Sequence, residues 1–401
     1  MPNILPIMMA AAGGGEAATA GLLFRASSNL SGELGDGTTN DSRSEDPPFI
    51  QVGSDTDWEF SNAAGNGTQA DGICYSIKTD GSLFIWGNTA AGQLGNGTTT
   101  PNICSPVQLG AAEWAVAGGG YKMSFAVKTD GTLWTWGYNA WGQLGHGNTT
   151  NTSSPIQVGS LTDWSTTIAP TGGYGTMSAI KQDGTHWGWG LGLWGQLGLG
   201  NETDYSSPVQ IGSDTDWLAI SRNLGPTTSG FMGIRGTSGA NGTLWACGNN
   251  AGGQLGLGDT TNRSALTQVG SLTNWKTISF GYKGCAAIKH DGTAWSWGDN
   301  YGGVNGDGTT TVRSSPVQMG ALTDWTQWVR PSRYCAMGIK SASDGTVWMT
   351  GQYASECGTG THWEGRSSPV QFNTAGATWI DITSSQGTGS YGLRGTGPVC
   401  P

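Results

Sequence analysis

The chain has 401 residues, 70 of them Gly and 20 Trp, with 11% charged side chains and a formal net charge of −10. No stretch concentrates Lys or Arg, so the negative balance argues against a nucleic-acid partner. Apolar residues reach 36%, enough to bury, yet Gly, Asn, Asp, Ser and Thr interrupt them every few positions, which points to an all-β chain.

In chain order, residues 1–19 come first. Ile4, Leu5, Ile7, Met8 and Met9 form an apolar patch ahead of a Gly-rich tether. The patch lacks a basic leading region and is too short to cross a bilayer, so neither export nor membrane insertion is expected. It is read as a flexible arm suited to anchoring in a neighbouring subunit.

From residue 20 onward the chain repeats itself. A Trp opening a short strand-like run recurs at 58, 114, 164, 217, 275, 325 and 379, and a Gly-flanked tetrad precedes each one. The tetrads are GELG at 32–35, GQLG at 92–95, 142–145, 195–198 and 253–256, then GVNG at 303–306 and SECG at 355–358. Each period offers four strands, exemplified by "WKTISFG", "SFAVKTDG", "GTLWTWG" and "SSPIQVG". Asp-Gly joins the second to the third at Asp80/Gly81, Asp130/Gly131, Asp183/Gly184, Asp291/Gly292 and Asp344/Gly345, a tight-turn signal because glycine accepts positive φ. Paired Trp at i and i+2, such as Trp134/Trp136, fall on one strand face and are expected to fill the space between sheets.

The ends supply halves of one period. "GLLFRAS" (21–27) aligns with the third strand, and "SYGLRGTG" (390–397) with the second. Leu22, Leu23, Phe24, Tyr391 and Leu393 are therefore expected to close a ring, with Leu22, Leu23 and Phe24 buried. Residues 1–19 form the arm, 20–397 the ring and 398–401 a tail.

The phrase W-x-W-G-x-N-x-x-G-Q-L-G followed by S-x-P-x-x-(V/I) resembles the RCC1 repeat. That resemblance implies a seven-bladed β-propeller of four-stranded antiparallel blades, with N- and C-terminal strands sharing one blade. It implies no single function, because a propeller can serve as exchange factor, inhibitor or structural module.

Sites are sparser. His146, His186, His290 and His362 have no metal-ligand spacing, and Cys74, Cys104, Cys247, Cys285, Cys335, Cys357 and Cys400 make no C-x-x-C pair. No metal site or cofactor is expected, and the thiols read as buried and free. "SDTDW" and "GDGTT" hold paired carboxylates that could suit calcium but read better as polar turns. No nucleophile elbow, Walker loop or zincin motif occurs, so no catalytic residue is assigned. Aromatics in irregular segments are the better leads. Trp141 and Trp194 stand where other repeats carry Ala91 or Gly252, and Tyr138, Tyr301 and Trp363 also lie between strands.

Overall the chain is similar in style to propellers encoded among phage structural genes. The first reading is a non-enzymatic virion component, a decoration, tail appendage or host-contact module, with virion subunits as partners of the arm and a host surface receptor as a further partner. The alternative is a soluble, cytoplasmic propeller that binds and regulates or inhibits a partner enzyme. An enzyme built on a propeller is the third.

Overall fold

The computed structural model describes residues 21–26, 29, 31–39, 50–64, 72–111, 113–222, 229–237, 241–330, 335–340, 345–351, 366–372, 379–384 and 391–395. The described strands fall into seven four-stranded antiparallel sheets. Six are continuous in sequence, spanning residues 58–108, 114–157, 171–210, 217–268, 275–318 and 325–372, and are numbered here as blades 1 to 6. The remaining sheet combines both ends of the chain: Leu22–Ala26 lies between Ile50–Gln51 and Tyr391–Gly395, with Trp379–Ser384 beyond. Phe24 pairs with Leu393 and Ala26 with Tyr391 across this seam.

The expectation of a seven-bladed propeller is corrected accordingly, whereas terminal strands do share one sheet. There are six blades of continuous chain and one composite sheet, whose outermost strand is only two residues long. Leu23 is buried there, whereas Leu22 is half-buried rather than buried.

The first strand of each sheet abuts the first strand of the next, from Trp58–Ala64 round through Trp325–Val329 and Trp379–Ser384 to Trp58–Ala64 again. These strands line the axis. The core lies between blades: Ile73, Tyr75 and Leu83 of blade 1 pack with Trp114, Ala117 and Trp136 of blade 2.

The tetrads explain why so polar a sequence folds. At the second Trp position of the third strand, Trp136 and Trp189 donate Nε1–H to the carbonyls of Gln93 and Gln143 in the preceding tetrad, each at 2.8 Å. Trp86 does the same to Glu33 at 2.9 Å and Trp297 to Gln254 at 3.0 Å. Where Trp is replaced, the bond persists: Cys247 Sγ reaches the Gln196 carbonyl at 3.6 Å, and Thr350 Oγ1 that of Val304 at 2.8 Å. A glycine two residues beyond each described tetrad adds a backbone bond to the next sheet's outer strand, as in Gly147 N–H to the Ser206 carbonyl at 2.8 Å. Each described tetrad is thus a latch. Gly145, at φ +77°, shows why glycine is required, since a Cβ there would lie 2.8 Å from Trp189 Nε1.

Antiparallel succession gives the disc two unlike faces. One carries the tetrad loops and the turns joining first to second strands; the other carries the Asp-Gly turns and the links between blades. On that second face cations at the ends of second strands lie over Trp rings, and Lys78, Lys181, Arg235 and Lys340 also pair with link carboxylates. Lys181 lies 4.5 Å from the Trp187 centroid and 3.2 Å from Asp163, and Arg235 contacts Asp214 at 2.6 Å and Asp216 at 2.8 Å.

Candidate functional site

Where blades 2 and 3 meet at the axis, both inner strands run out in glycine. A Cβ on Gly120 would lie 2.8 Å from the Gly173 carbonyl oxygen, and one on Gly172 2.9 Å from that of Gly119. Because neither position has a side chain, the backbones close up, and Tyr121 N–H donates to the Gly173 carbonyl at 3.2 Å. The adjoining turns then carry Tyr121 and Tyr174 into a stack with centroids 4.6 Å apart.

Two residues of the blade 2 loop complete the group. Trp141 lies 5.0 Å from Tyr174 and 5.4 Å from Tyr138, whose ring sits edge-on to Tyr121 at 6.1 Å. Trp141 lies flat on Gly175: a Cβ at that glycine would come within 2.6 Å of its ring. All four rings are half-buried. Lys122 reaches over Tyr121, its ammonium 5.3 Å from the centroid. Burial and the neighbouring Tyr121 and Tyr138 raise the Tyr174 phenol pKa above its ordinary value, with Lys122 acting the other way.

Part of each ring's surface is spent on its neighbours and, for Trp141, on Gly175. Such a packed group is preorganised. It offers large contact area at little further cost in side-chain entropy, which suits a protein partner better than a sugar needing an open ring face.

The structure therefore unites Tyr138 and Trp141 and separates them from the other aromatic candidates. Trp194 is half-buried in the blade 3 loop, outside the cluster, and Tyr301 stands 43% exposed in a short 3-10 turn of blade 5. Trp363 and the arm residues Ile4, Leu5, Ile7, Met8 and Met9 lie outside the described residues. Sequence reasoning missed Tyr121, Lys122 and Tyr174. The available signal was the turn after the first strand, where "GYK" occurs at 120–122, "GYG" at 173–175 and "GYK" again at 281–283.

The polar candidates resolve into structure. Asp55 and Asp57 pair with Lys78, while Asp36 and Asp307 cap their own turns through Thr38 and Thr309. Among the described residues no group of three or more His, Cys, Asp or Glu could hold a metal ion, and no helix is long and apolar enough to cross a membrane. His186 is fully buried, with Nε2 3.0 Å from Ser178 Oγ and the ring stacked on Phe231 at 4.6 Å. Burial, helped by Arg222, holds its pKa well below the ordinary value. His146 is half-buried against Thr135, and His290 is exposed at a turn. Cys74, Cys104, Cys247 and Cys285 are free, but Cys335 is disulfide-bonded, which corrects the expectation of free thiols throughout.

The RCC1 repeat model (Regulator of chromosome condensation) matches residues 130–177, 183–221 and 241–288. The chain carries RCC1 repeats. It is 30% identical over 238 residues to the Ultraviolet-B receptor UVR8 of Arabidopsis thaliana, a match covering 59% of this chain and 51% of that protein. The chain thus spans about half the length of that relative. Among solved structures, human WBSCR16 superposes with a TM-score of 0.76 at 16% identity, over 94% of this chain and 100% of that one. Prp20p of Saccharomyces cerevisiae, whose binding to Gsp1p and histones is described with its structure, gives 0.76 at 14% identity, over 99% and 97%. These last two likenesses speak to fold alone.

Proposed function

We propose that this chain is a non-enzymatic protein-binding propeller that grips a partner with its tetrad-loop face, regulating or inhibiting that partner. The observation that carries the reading is the packed group Tyr121, Tyr138, Trp141 and Tyr174, rigid at its base and half-exposed at its rim. RCC1-like propellers serve as protein-binding scaffolds, as the description of Prp20p with Gsp1p and histones illustrates. The repeat itself does not require aromatics at these positions, since Ala91 and Gly252 occupy the place of Trp141 in blades 1 and 4. The virion reading draws on composition, on the closed disc, on a likeness of style to phage propellers and on an arm at residues 1–19 that lies outside the described residues, and no observation on the described disc favours it over a cellular partner.

The test is quantitative capture of partner protein from native extract by the wild type and by a Trp141→Ala/Tyr174→Ala variant matched for melting temperature. Loss of the captured protein with the variant is expected. Equal capture would overturn the docking site.

A further inference from the structure

We infer that the cleft between the outer strands of blades 2 and 3 receives a tyrosine side chain from an uncharged, extended segment of the protein partner; this rests on the docking reading above and adds a second contact to it.

The first observation is a repeat position that is finished differently in blade 2. The outer strand opens opposite the glycine that ends the third strand: Thr152 opposite Gly137 in blade 2, Tyr205 opposite Gly190 in blade 3, Arg263 opposite Gly248 in blade 4 and Arg313 opposite Gly298 in blade 5. In blades 3, 4 and 5 this side chain reaches back to a polar residue of its own loop. The Tyr205 hydroxyl accepts Asn201 Nδ2–H at 3.2 Å, Arg263 meets Asp259 at 2.6 Å, and Arg313 meets Asp307 at 2.7 Å. Thr152 is too short to do the same, and its Oγ1 is buried with no hydrogen-bond partner. Asn148 is the blade 2 counterpart of Asn201. It is held by the same loop bond, accepting Thr150 N–H at 2.9 Å as Asn201 accepts that of Thr203 at 3.0 Å. Its Nδ2 makes a long bond, 3.4 Å, to the His146 carbonyl.

The second observation is the cleft itself. About 740 Å³ lies between Thr152, His146 and Asn148 on one side and Ile156, Leu161 and Trp187 on the other, a volume within the usual range for ligand sites. None of its described lining residues carries a charge at pH 7, because burial lowers the His146 pKa from its ordinary value. Lys181, which covers Trp187, is paired with Asp163 at 3.2 Å. An ionised side chain would lose water here without gaining a partner. A phenol brings to blade 2 what Tyr205 supplies in blade 3, a ring for the apolar lining and a hydroxyl for Asn148 Nδ2. The volume exceeds what one phenol needs, and Ile156 and Leu161, 43% and 41% exposed, are left for an aliphatic neighbour. The loop that contributes His146 and Asn148 opens with Trp141 of the aromatic cluster. A partner seated on the cluster therefore extends into the cleft, which makes its tyrosine the occupant rather than a free phenol.

The probe is an uncharged, capped octapeptide of serines and glycines around one Tyr-Ile pair, compared with its Phe-Ile counterpart by saturation-transfer NMR titration. The wild type should bind the tyrosine peptide about three- to tenfold more tightly than the phenylalanine one, the worth of one hydrogen bond. Thr152→Tyr, which installs the residue blade 3 carries at Tyr205, should melt at the same temperature or higher and lose both peptides. Asn148→Ala should lower the tyrosine peptide to the affinity of the phenylalanine one. Undiminished binding by Thr152→Tyr, equal affinity of the wild type for the two peptides, or binding of neither would overturn the proposal. Capture of the partner protein separates the cleft from the aromatic cluster. Loss of capture with Trp141→Ala/Tyr174→Ala but not with Thr152→Tyr would sink the cleft alone; loss with Thr152→Tyr but not with Trp141→Ala/Tyr174→Ala would sink the cluster alone.

Discussion

The junction between blades 2 and 3 and that between blades 4 and 5 are built with the same hardware and finished differently. Trp189 Nε1–H reaches the Gln143 carbonyl at 2.8 Å in the first, and Trp297 reaches Gln254 at 3.0 Å in the second. Gly147 bonds to Ser206 at 2.8 Å, and Gly258 to Ser314 at 2.7 Å. The difference sits in the residue opening the loop. Trp141 projects into an aromatic group at the first junction, while Gly252 presents nothing at the second. Stability is therefore written into the latch that both junctions share, and the loop-opening position, which the latch does not use, is free to differ.

The severest way to break the comparison is to ask whether latches alone hold the disc. Deleting residues 1–27 removes Leu22–Ala26, the strand that pairs with Tyr391–Gly395, while leaving the tetrad latches between blades 1 and 6 in place. Loss of a single cooperative melting transition is expected; an unchanged calorimetric profile would mean the seam is dispensable.

The latches themselves should be interchangeable in energy. Gly145→Ala and Gly256→Ala each put a Cβ 2.8 Å from a Trp Nε1 at φ near +76°, so both should lose about 2 to 4 kcal/mol in urea unfolding, and by similar amounts. A large disparity would show that the junctions are not equivalent scaffolds.

Recognition should separate them. Trp141→Ala is expected to weaken partner binding by about 2 kcal/mol or more with little change in stability, as a central aromatic anchor does. Calorimetric titration with the captured partner measures it, and an unaffected affinity would place recognition elsewhere.

The smallest expected effect is pH dependence from the junction of blades 3 and 4. His186 is kept neutral by burial beside Arg222, so its folded pKa lies below the unfolded value of about 6.5. The unfolded state then binds the extra proton. Stability from this group is complete above about pH 6.5 and falls as pH drops toward the folded pKa, by up to about 2 kcal/mol at pH 5. His186→Leu, which restores the residue found at Leu133, should flatten that slope; a slope unchanged in the variant would assign it to other groups.

Much of the scaffold was legible in the sequence. The period, the four strands per repeat and the turn glycines follow from alternation and Asp-Gly chemistry, which are local signals. The latch was less legible, because the same carbonyl is approached by Trp136, Cys247 and Thr350, and only geometry reveals that three chemistries do one job. The aromatic cluster was half legible. Tyr138 and Trp141 stand out against the repeat, but Tyr174 joins them from the next blade across a Gly–Gly contact, a tertiary relation no local pattern encodes.

The most direct test places a photo-crosslinking amino acid at position 141 and, in a second protein, at position 252, the same loop position one pair of blades away. Irradiation in native extract should yield a covalent partner adduct from position 141 and none from 252. Adducts of equal yield at both positions, or at 252 alone, would contradict docking at the blade 2–3 junction.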